Sequence, residues 1–380
     1  MKDEYFTILK ILKINILIFL ILLFILELVF GKWIKSDNFN CHYVLCDAKL
    51  EFEHQLFGYK YTVNYSKDRY GLRGGHAHPS EIDVLVIGGS TSDQKYLSNN
   101  DTWDYLLQEK LKDNNYNISI ANAGINGQTL TGHIWSLENW LNTIEGLNPK
   151  YILFYIGIND IFPNLNPQIE REFIKTVIKN DYFKYYYKII STLRNNSAIY
   201  NLLRKIRGVI LAIDFNLVGY GKNIFETEYK IEPINDYIFW DLYNEEYLSK
   251  YIKIKLDILL ELTDKLGAIP IFVPQRTAWW QFVDGKVLGS EDHTKEKKLV
   301  EFGNKFTTFW SVGDMGIAQI KFGEYIINYC RNLKILCFDG VNKININVTN
   351  TYDLTHTNSL GSKEISDSLF PFMVNIFEQK

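Results

Sequence analysis

Cysteine is scarce in the 380 residues: only Cys41, Cys46, Cys330 and Cys337 occur. None of their spacings is C-x-x-C, so neither a zinc site nor a dithiol redox motif is indicated. Two disulfides or none fit the four equally well. An excess of charge of either sign is also missing, with 41 Lys and Arg against 44 Asp and Glu. That balance gives no reason to expect a nucleic-acid partner. There is no internal repeat and no linker. Histidine is sparse, and of seven only His76 and His78 lie close together. A loop before the first strand explains that pair better than a metal site. What is abundant is apolar sequence, 47% of the chain, beside 22% charged residues, the composition of a folded protein with a sizeable core.

One long hydrophobic run stands near the start. Residues 14–30 read INILIFLILLFILELVF, broken only by Asn15 and Glu27. As a helix this run is about 25 Å long, and the preceding Ile and Leu residues extend it. A cleaved signal peptide is the rival reading. The following Gly31-Lys-Trp-Ile-Lys35 lacks a small-x-small cleavage site, and Trp33 and Lys35 suit an interface. The expectation is a short tail at 1–13, an uncleaved anchor at 14–30, and one large domain at 36–380 outside the cytoplasm.

Within that domain the pattern is βα. Residues 82–90, IDVLVIGGS, form a short apolar run that stops at two glycines and a serine. Such a run reads as a buried parallel strand with a sharp turn at its carboxyl end. Residues 61–75 precede it as a hairpin or extended lead-in. Further strands are expected at 117–121, 151–156, 269–273 and 334–338, giving five. Helices are expected at 102–111, 133–144, 309–329 and from Ser362, with Pro371 ending or kinking the last. About 161–260 is long for one crossover and reads as an insertion. It carries YFKYYY at 182–187 and a basic apolar stretch at 199–213. Two or three helices packed on the sheet, or a surface lying against a membrane, both fit that stretch.

Three strand ends each deliver one group: Ser90, Gly127 and Asn159. Near the C-terminus Asp353 and His356 stand three residues apart. Each has a plain structural explanation taken singly: a helix cap, a turn glycine, a turn asparagine, a loop histidine. Their ordered placement favours chemistry. Acyl transfer needs a nucleophile, a base near neutral pKa, a group that orients the base, and donors aimed at an oxyanion. Ser90, His356 and Asp353 are candidates for the first three. The N–H groups of Ser90 and Gly127 and the Asn159 amide are candidates for the donors. Glycine at 127 is expected because a side chain there would crowd the reacting carbonyl.

These blocks resemble the SGNH (GDSL-type) hydrolase superfamily. Gly88-Gly-Ser90-Thr stands where that family has Gly-Asp-Ser, and Asn122-Ala-Gly-Ile-Asn-Gly127 resembles its second block. Gly157-Ile-Asn159-Asp resembles the third, and Asp353-Leu-Thr-His356 the last. The lead-in Tyr70-Gly-Leu-Arg-Gly74 is similar to that of a membrane-anchored bacterial subset. The departure is Gly89 in place of aspartate, which removes a carboxylate that orders neighbouring loops. The resemblance implies a three-layer α/β/α, flavodoxin-like fold with a five-stranded, mostly parallel sheet. It also implies a serine esterase that needs no metal or organic cofactor. The expected partners are an acylated small molecule or glycan, the membrane, and envelope polysaccharide machinery. An O-acyl, and in particular O-acetyl, ester of an envelope glycan suits a periplasmic or external domain, with Trp279, Trp280 and the Tyr-rich insertion as sugar-stacking faces. Two alternatives stand beside hydrolysis: O-acyl transfer to an envelope polysaccharide, and a non-catalytic glycan-binding or scaffold protein.

Overall fold

A computed structural model of the protein describes residues 2–31, 33, 44–74, 78–161, 248–283, 286–292, 299–301, 307–309 and 312–378, together with 189, 192–193, 196–200, 202–203, 206 and 229–233. His76, the tyrosine run at 182–187 and most of the expected insertion at 161–260 lie outside these. The chain divides into two units, Met1–Tyr43 with Lys175–Gly219, and Val44–Ile174 with Tyr220–Lys380. In the first, helix α1 (Lys2–Phe30) contains the stretch Lys10–Phe30, long and apolar enough to cross a membrane. Its Ile, Leu and Phe side chains are exposed along the stretch, except the half-exposed Leu23.

The second unit is built on a six-stranded sheet. Its strands are β3 (Arg73–Gly74), β4 (Val84–Gly88), β5 (Ile120–Asn122), β6 (Tyr151–Ile156), β8 (Ile269–Pro274) and β13 (Leu336–Cys337), in the order β13-β8-β6-β4-β5-β3. The first five in that order run parallel, and only β3 runs antiparallel, along β5. This edge strand, from the Arg73-Gly74 lead-in, is one more than the five expected. Counted along the chain, the parallel strands lie 2-1-3-4-5, so the order reverses between β4 and β6. Both strands are fully buried, as expected where helices cover both faces. Their near-continuous apolar sequences have no solvent side to serve. The Phe154 and Phe272 rings stack across β6 and β8 at 5.0 Å.

Helices α2 (Ser90–Asp93), α3 (Trp103–Asp113), α4 (Leu130–Asn139), α5 (Lys253–Lys265), α6 (Val312–Leu333), α7 (Gly340–Lys343) and α8 (Ser359–Glu378) follow in chain order. α3 packs with α8 and α4 with α5, so the sheet lies between helical layers in a three-layer α/β/α fold. α3 turns Trp103, Leu107 and Leu111 inward at a spacing of four residues. A hairpin of β1 (Ala48–His54) and β2 (Tyr61–Lys67) precedes the sheet. Small antiparallel sheets join β7 (Tyr229–Pro233), β9 (Trp280–Val283) and β10 (Lys286–Asp292), and β11 (Leu299–Glu301) with β12 (Thr307–Phe309). Three expectations shift. The helix expected from 309 begins at Val312, after a strand at 307–309. The helix expected from 133 occupies Leu130–Asn139. The last helix runs through Pro371 to Glu378, because Met373 and Ile376 beyond the proline are buried. Cys330 is joined to Cys337, and Cys46 is also disulfide-bonded.

His133 lies on the buried face of α4, and its Nδ1 is 2.9 Å from Gln128 Oε1. An amide oxygen only accepts, so Nδ1 carries the hydrogen. Burial pushes this imidazole down to about 3, against an ordinary value near 6.5 when unfolded. Between those values the unfolded chain binds one more proton than the folded one. Stability is therefore fully present above about pH 6.5 and lost as pH falls, by at most about 1.4 kcal/mol per pH unit. Denaturant unfolding at neutral and mildly acidic pH should show that slope, and His133→Asn should flatten it by about one proton.

Candidate functional site

The site is assembled at the carboxyl ends of β4 and β6, where the strand order reverses and the two following segments diverge. Crevices at such points are the usual ligand sites of open α/β sheets. β4 ends in Gly88 and Gly89, and Ser90 opens the one-turn helix α2 with Gly89 as its N-cap. At Gly88 an added Cβ would fall 2.7 Å from the Tyr155 carbonyl oxygen, so the close approach of β6 requires glycine there. Ser90 Oγ lies 2.7 Å from His356 Nε2. His356 Nδ1 is in turn 2.7 Å from Asp353 Oδ2, while Asp353 Oδ1 accepts from the backbone N–H of Thr355 and of His356. The carboxylate is thus engaged on both oxygens, and it fixes both the loop and the ring. Leu354, between them, has φ +66°, the turn that brings a carboxylate and an imidazole three residues apart face to face.

Further contacts hold this loop. The Tyr352 ring stacks on the His356 ring with centroids 5.7 Å apart. Tyr352 belongs to an aromatic group with Phe57 and Tyr96, on which the β1–β2 hairpin packs. Trp279 Nε1 donates to Thr355 Oγ1, and Ala278 N to the Leu354 carbonyl. Trp280 is fully buried beneath the Arg276 guanidinium and donates to Gln319 Oε1. Both tryptophans therefore brace the interior, and the expectation that they offer sugar-stacking faces is corrected. A buried indole satisfied through its N–H cannot present its ring to solvent.

Gly127 occupies the third position of a turn closed by Gln128 N on the Ile125 carbonyl, with φ +72°. Nothing lies within 4 Å of a Cβ placed there. Glycine there also meets the left-handed backbone of a type II turn. The next carbonyl, of Gln128, accepts one N–H of the Asn159 amide at 3.0 Å. This bond fixes which end of the amide is nitrogen and leaves its second N–H uncommitted. A Cβ at Gly89 would stand 2.7 Å from Asn159 Nδ2, so the amide lies directly against the Ser90 turn. Asp160 accepts from Leu130 N at 3.0 Å, tying the Asn159 turn to the start of α4.

Sequence reasoning missed the side chains that lock these turns together. Gln275, buried after the end of β8, donates to Thr91 Oγ1 (2.6 Å) and the Tyr155 carbonyl (2.8 Å), and accepts from Ile158 N (3.0 Å). It joins the residue after Ser90 to the residue before Asn159. Asn122 donates to the Ser92 carbonyl and to Asp104 Oδ1. Burial pushes the Asp104 carboxyl above its ordinary range, opposed by the Arg73 charge and the Asn122 amide. Beside them Lys67 Nζ meets Asp93 Oδ1 at 3.0 Å and the Gly124 carbonyl at 2.8 Å, and Tyr65 donates to Asp93. Arg73 donates to the carbonyls of Asp93, Gln94 and Leu97. The one signal in sequence was the unusual lead-in ending in Arg73 and Gly74.

Residues 84–251 match the family described as GDSL-like Lipase/Acylhydrolase. No curated protein sequence matches the chain. Among solved structures, it is similar to a lipolytic G-D-S-L family protein from Veillonella parvula (12% identity, 77% of this chain and 98% of that one, TM-score 0.39). It is also similar to a psychrotrophic esterase from Pseudoalteromonas sp. (13%, 78% and 99%, TM-score 0.37). A third is a GDSL-like lipase from Bacteroides thetaiotaomicron (12%, 79% and 89%, TM-score 0.36). The family match runs from β4 across the Ser90, Gly127 and Asn159 blocks.

Proposed function

We propose that the protein is a serine esterase acting on O-acyl esters of an extracytoplasmic substrate, with Ser90 as nucleophile, His356 as general base and acid, and Asp353 as the group that orients His356. The observation that carries this reading is the continuous path Asp353–His356–Ser90, two contacts of 2.7 Å each. With Nδ1–H donated to Asp353, Nε2 has a free lone pair for the serine proton. Ser90 Oγ bonds to the ester carbonyl carbon as that proton passes to Nε2, and the carbonyl π electrons move onto oxygen. The Ser90 and Gly127 N–H groups and the uncommitted Asn159 N–H are assigned to this oxyanion. Collapse breaks the ester C–O bond, and the leaving oxygen takes the proton from Nε2. Water then repeats the sequence on the acyl-serine and frees the acid.

Lys10–Phe30 is assigned as an uncleaved single membrane anchor, with the domain from residue 36 facing the periplasm or the exterior. Its length, apolarity and exposed side chains support that assignment. The substrate is assigned as an O-acylated, in particular O-acetylated, envelope glycan. A tethered esterase meets polymer esters at the surface it is tethered to.

Ser90→Ala should abolish labelling by an active-site serine phosphonate. Asn159→Ala should leave labelling measurable but lower kcat by about 10² to 10³, and Asp353→Asn by about 10⁴, in p-nitrophenyl ester assays. Acetate release from acetylated glycans, absent in Ser90→Ala, is the expected outcome for the full reading. A labelled Ser90 with no release from any ester would instead indicate transfer to a polysaccharide acceptor.

Gln275 acts through the turns it joins. Gln275→Leu leaves Thr91 Oγ1, the Tyr155 carbonyl and Ile158 N without their partner, and should destabilise the fold by about 1–3 kcal/mol. Because both turns bearing Ser90 and Asn159 loosen, kcat should fall more than KM rises. Gln275→Glu, which keeps the acceptor for Ile158 N, should recover part of the stability in parallel unfolding and kinetic measurements.

A further inference from the structure

Beyond the carboxyl ends of β8 and β13, on the sheet edge that carries Ser90, lies a cavity of about 470 Å³. One wall is Gln281 and Phe282, which follow β8, and the other comes from residues between Asn342 and Thr349, which follow β13. A cavity of this size suits a small ligand or one unit of a larger one. Arg276 lines it at the root of both walls. Its Nη1 donates to the Val341 carbonyl at 2.9 Å and its Nη2 to the Trp280 carbonyl at 3.1 Å, the residues just before each wall. The Trp280 ring covers the guanidinium, with Cζ 3.4 Å from the ring centre.

Arg276 is only 7% exposed. Burial strips its hydration and pushes the guanidinium down to about 10. Arg73 is buried in the same domain, but there Asp93 and Asp104 oppose the shift. Arg276 meets two neutral carbonyls, and its Nε–H has no hydrogen-bond partner among the described residues. The cavity lining adds a second cation, Lys343, and contains no acidic residue. Asp339, the carboxylate just before this wall, is engaged on the backbone and side-chain nitrogens of Asn342.

A neutral donor could hold two carbonyls, whereas a buried charge with no counter-charge is costly. A planar guanidinium matches the oxygens of a carboxylate or phosphate. We propose that this cavity is an anion-binding subsite, in which Arg276 and Lys343 hold the carboxylate or phosphate group of an acidic ligand, such as an acidic polysaccharide carries. The counter-charge that the fold omits then arrives with the ligand. This inference stands apart from the assignment of Ser90.

The test is calorimetric titration of the full chain, in non-ionic detergent at fixed ionic strength, with sodium glucuronate, inorganic phosphate and glucose. The expected result is saturable binding of glucuronate or phosphate and none of glucose, the tighter anion naming the group. Lys343→Glu, at an exposed position, places a competing carboxylate in the cavity and should weaken that binding about tenfold or more, the worth of one hydrogen bond to a charged group. Arg276→Gln should do the same where its unfolding transition shows an intact fold, and Ser90→Ala should bind as the wild type does. No saturable binding of either anion, binding unchanged in Lys343→Glu, or binding lost in Ser90→Ala would overturn the proposal. Phosphonate labelling of Ser90 reads the esterase assignment separately.

Discussion

Between β4 and β6 the chain's path divides, and the groups beyond the two strands would separate if nothing spanned the gap. Gln275 spans it, with its two amide hydrogens donated to Thr91 Oγ1 and the Tyr155 carbonyl and its oxygen accepting from Ile158 N, so that it links residues next to Ser90 and to Asn159. In a dry interior each of those partners would otherwise be left unsatisfied, which makes the arrangement cooperative. The strand order reverses here, and this side chain ties the two diverging turns together.

A second set of polar groups fixes the outer wall. Lys67, Asp93, Tyr65 and Arg73 are buried together. Removing Lys67 or Asp93 would leave its partner's charge uncompensated, at a cost of about 3–5 kcal/mol. They tie β2 and the lead-in strand to the turn that carries Ser90. The same hairpin packs through Phe57 on Tyr352, whose ring lies on His356. The residues before the sheet thus support both ends of the Ser90–His356 contact, although none of them belongs to the four blocks that hold the candidate site. Gly89 fits this plan. The Asn159 amide lies against it, and Asp160 binds the start of α4 from the neighbouring turn.

The membrane-length helix has its own polar logic. Glu27 breaks an otherwise apolar run, and its oxygens are taken by Trp33 and by the residues that open the segment at 197. A residue that reads in sequence only as a blemish in the apolar run is, in three dimensions, the point at which distant chain is fastened to this helix.

The local pattern sufficed for much of this molecule. Short apolar runs gave all five parallel strands within a few residues, since a strand buried on both faces leaves a continuous hydrophobic signature. The candidate site residues were legible for a related reason: Ser90, Gly127 and Asn159 sit at strand ends, and Asp353 and His356 are close in sequence. Other features depend on partners far along the chain and left no periodic trace. The two-residue strand Arg73–Gly74 exists because β5 has a free edge. Helix α8 continues through Pro371 because apolar residues beyond it are buried. Trp279 and Trp280 looked like surface aromatics until their N–H partners were known. Gln275 looked like any polar residue after a strand. Sequence determined which segments are strands and which residues are candidates for the site, because those depend on hydrophobicity and residue chemistry. Only the tertiary structure decided that His356 meets Ser90 at 2.7 Å across 266 residues, because that distance is set by packing and buried hydrogen bonds contributed from every part of the domain.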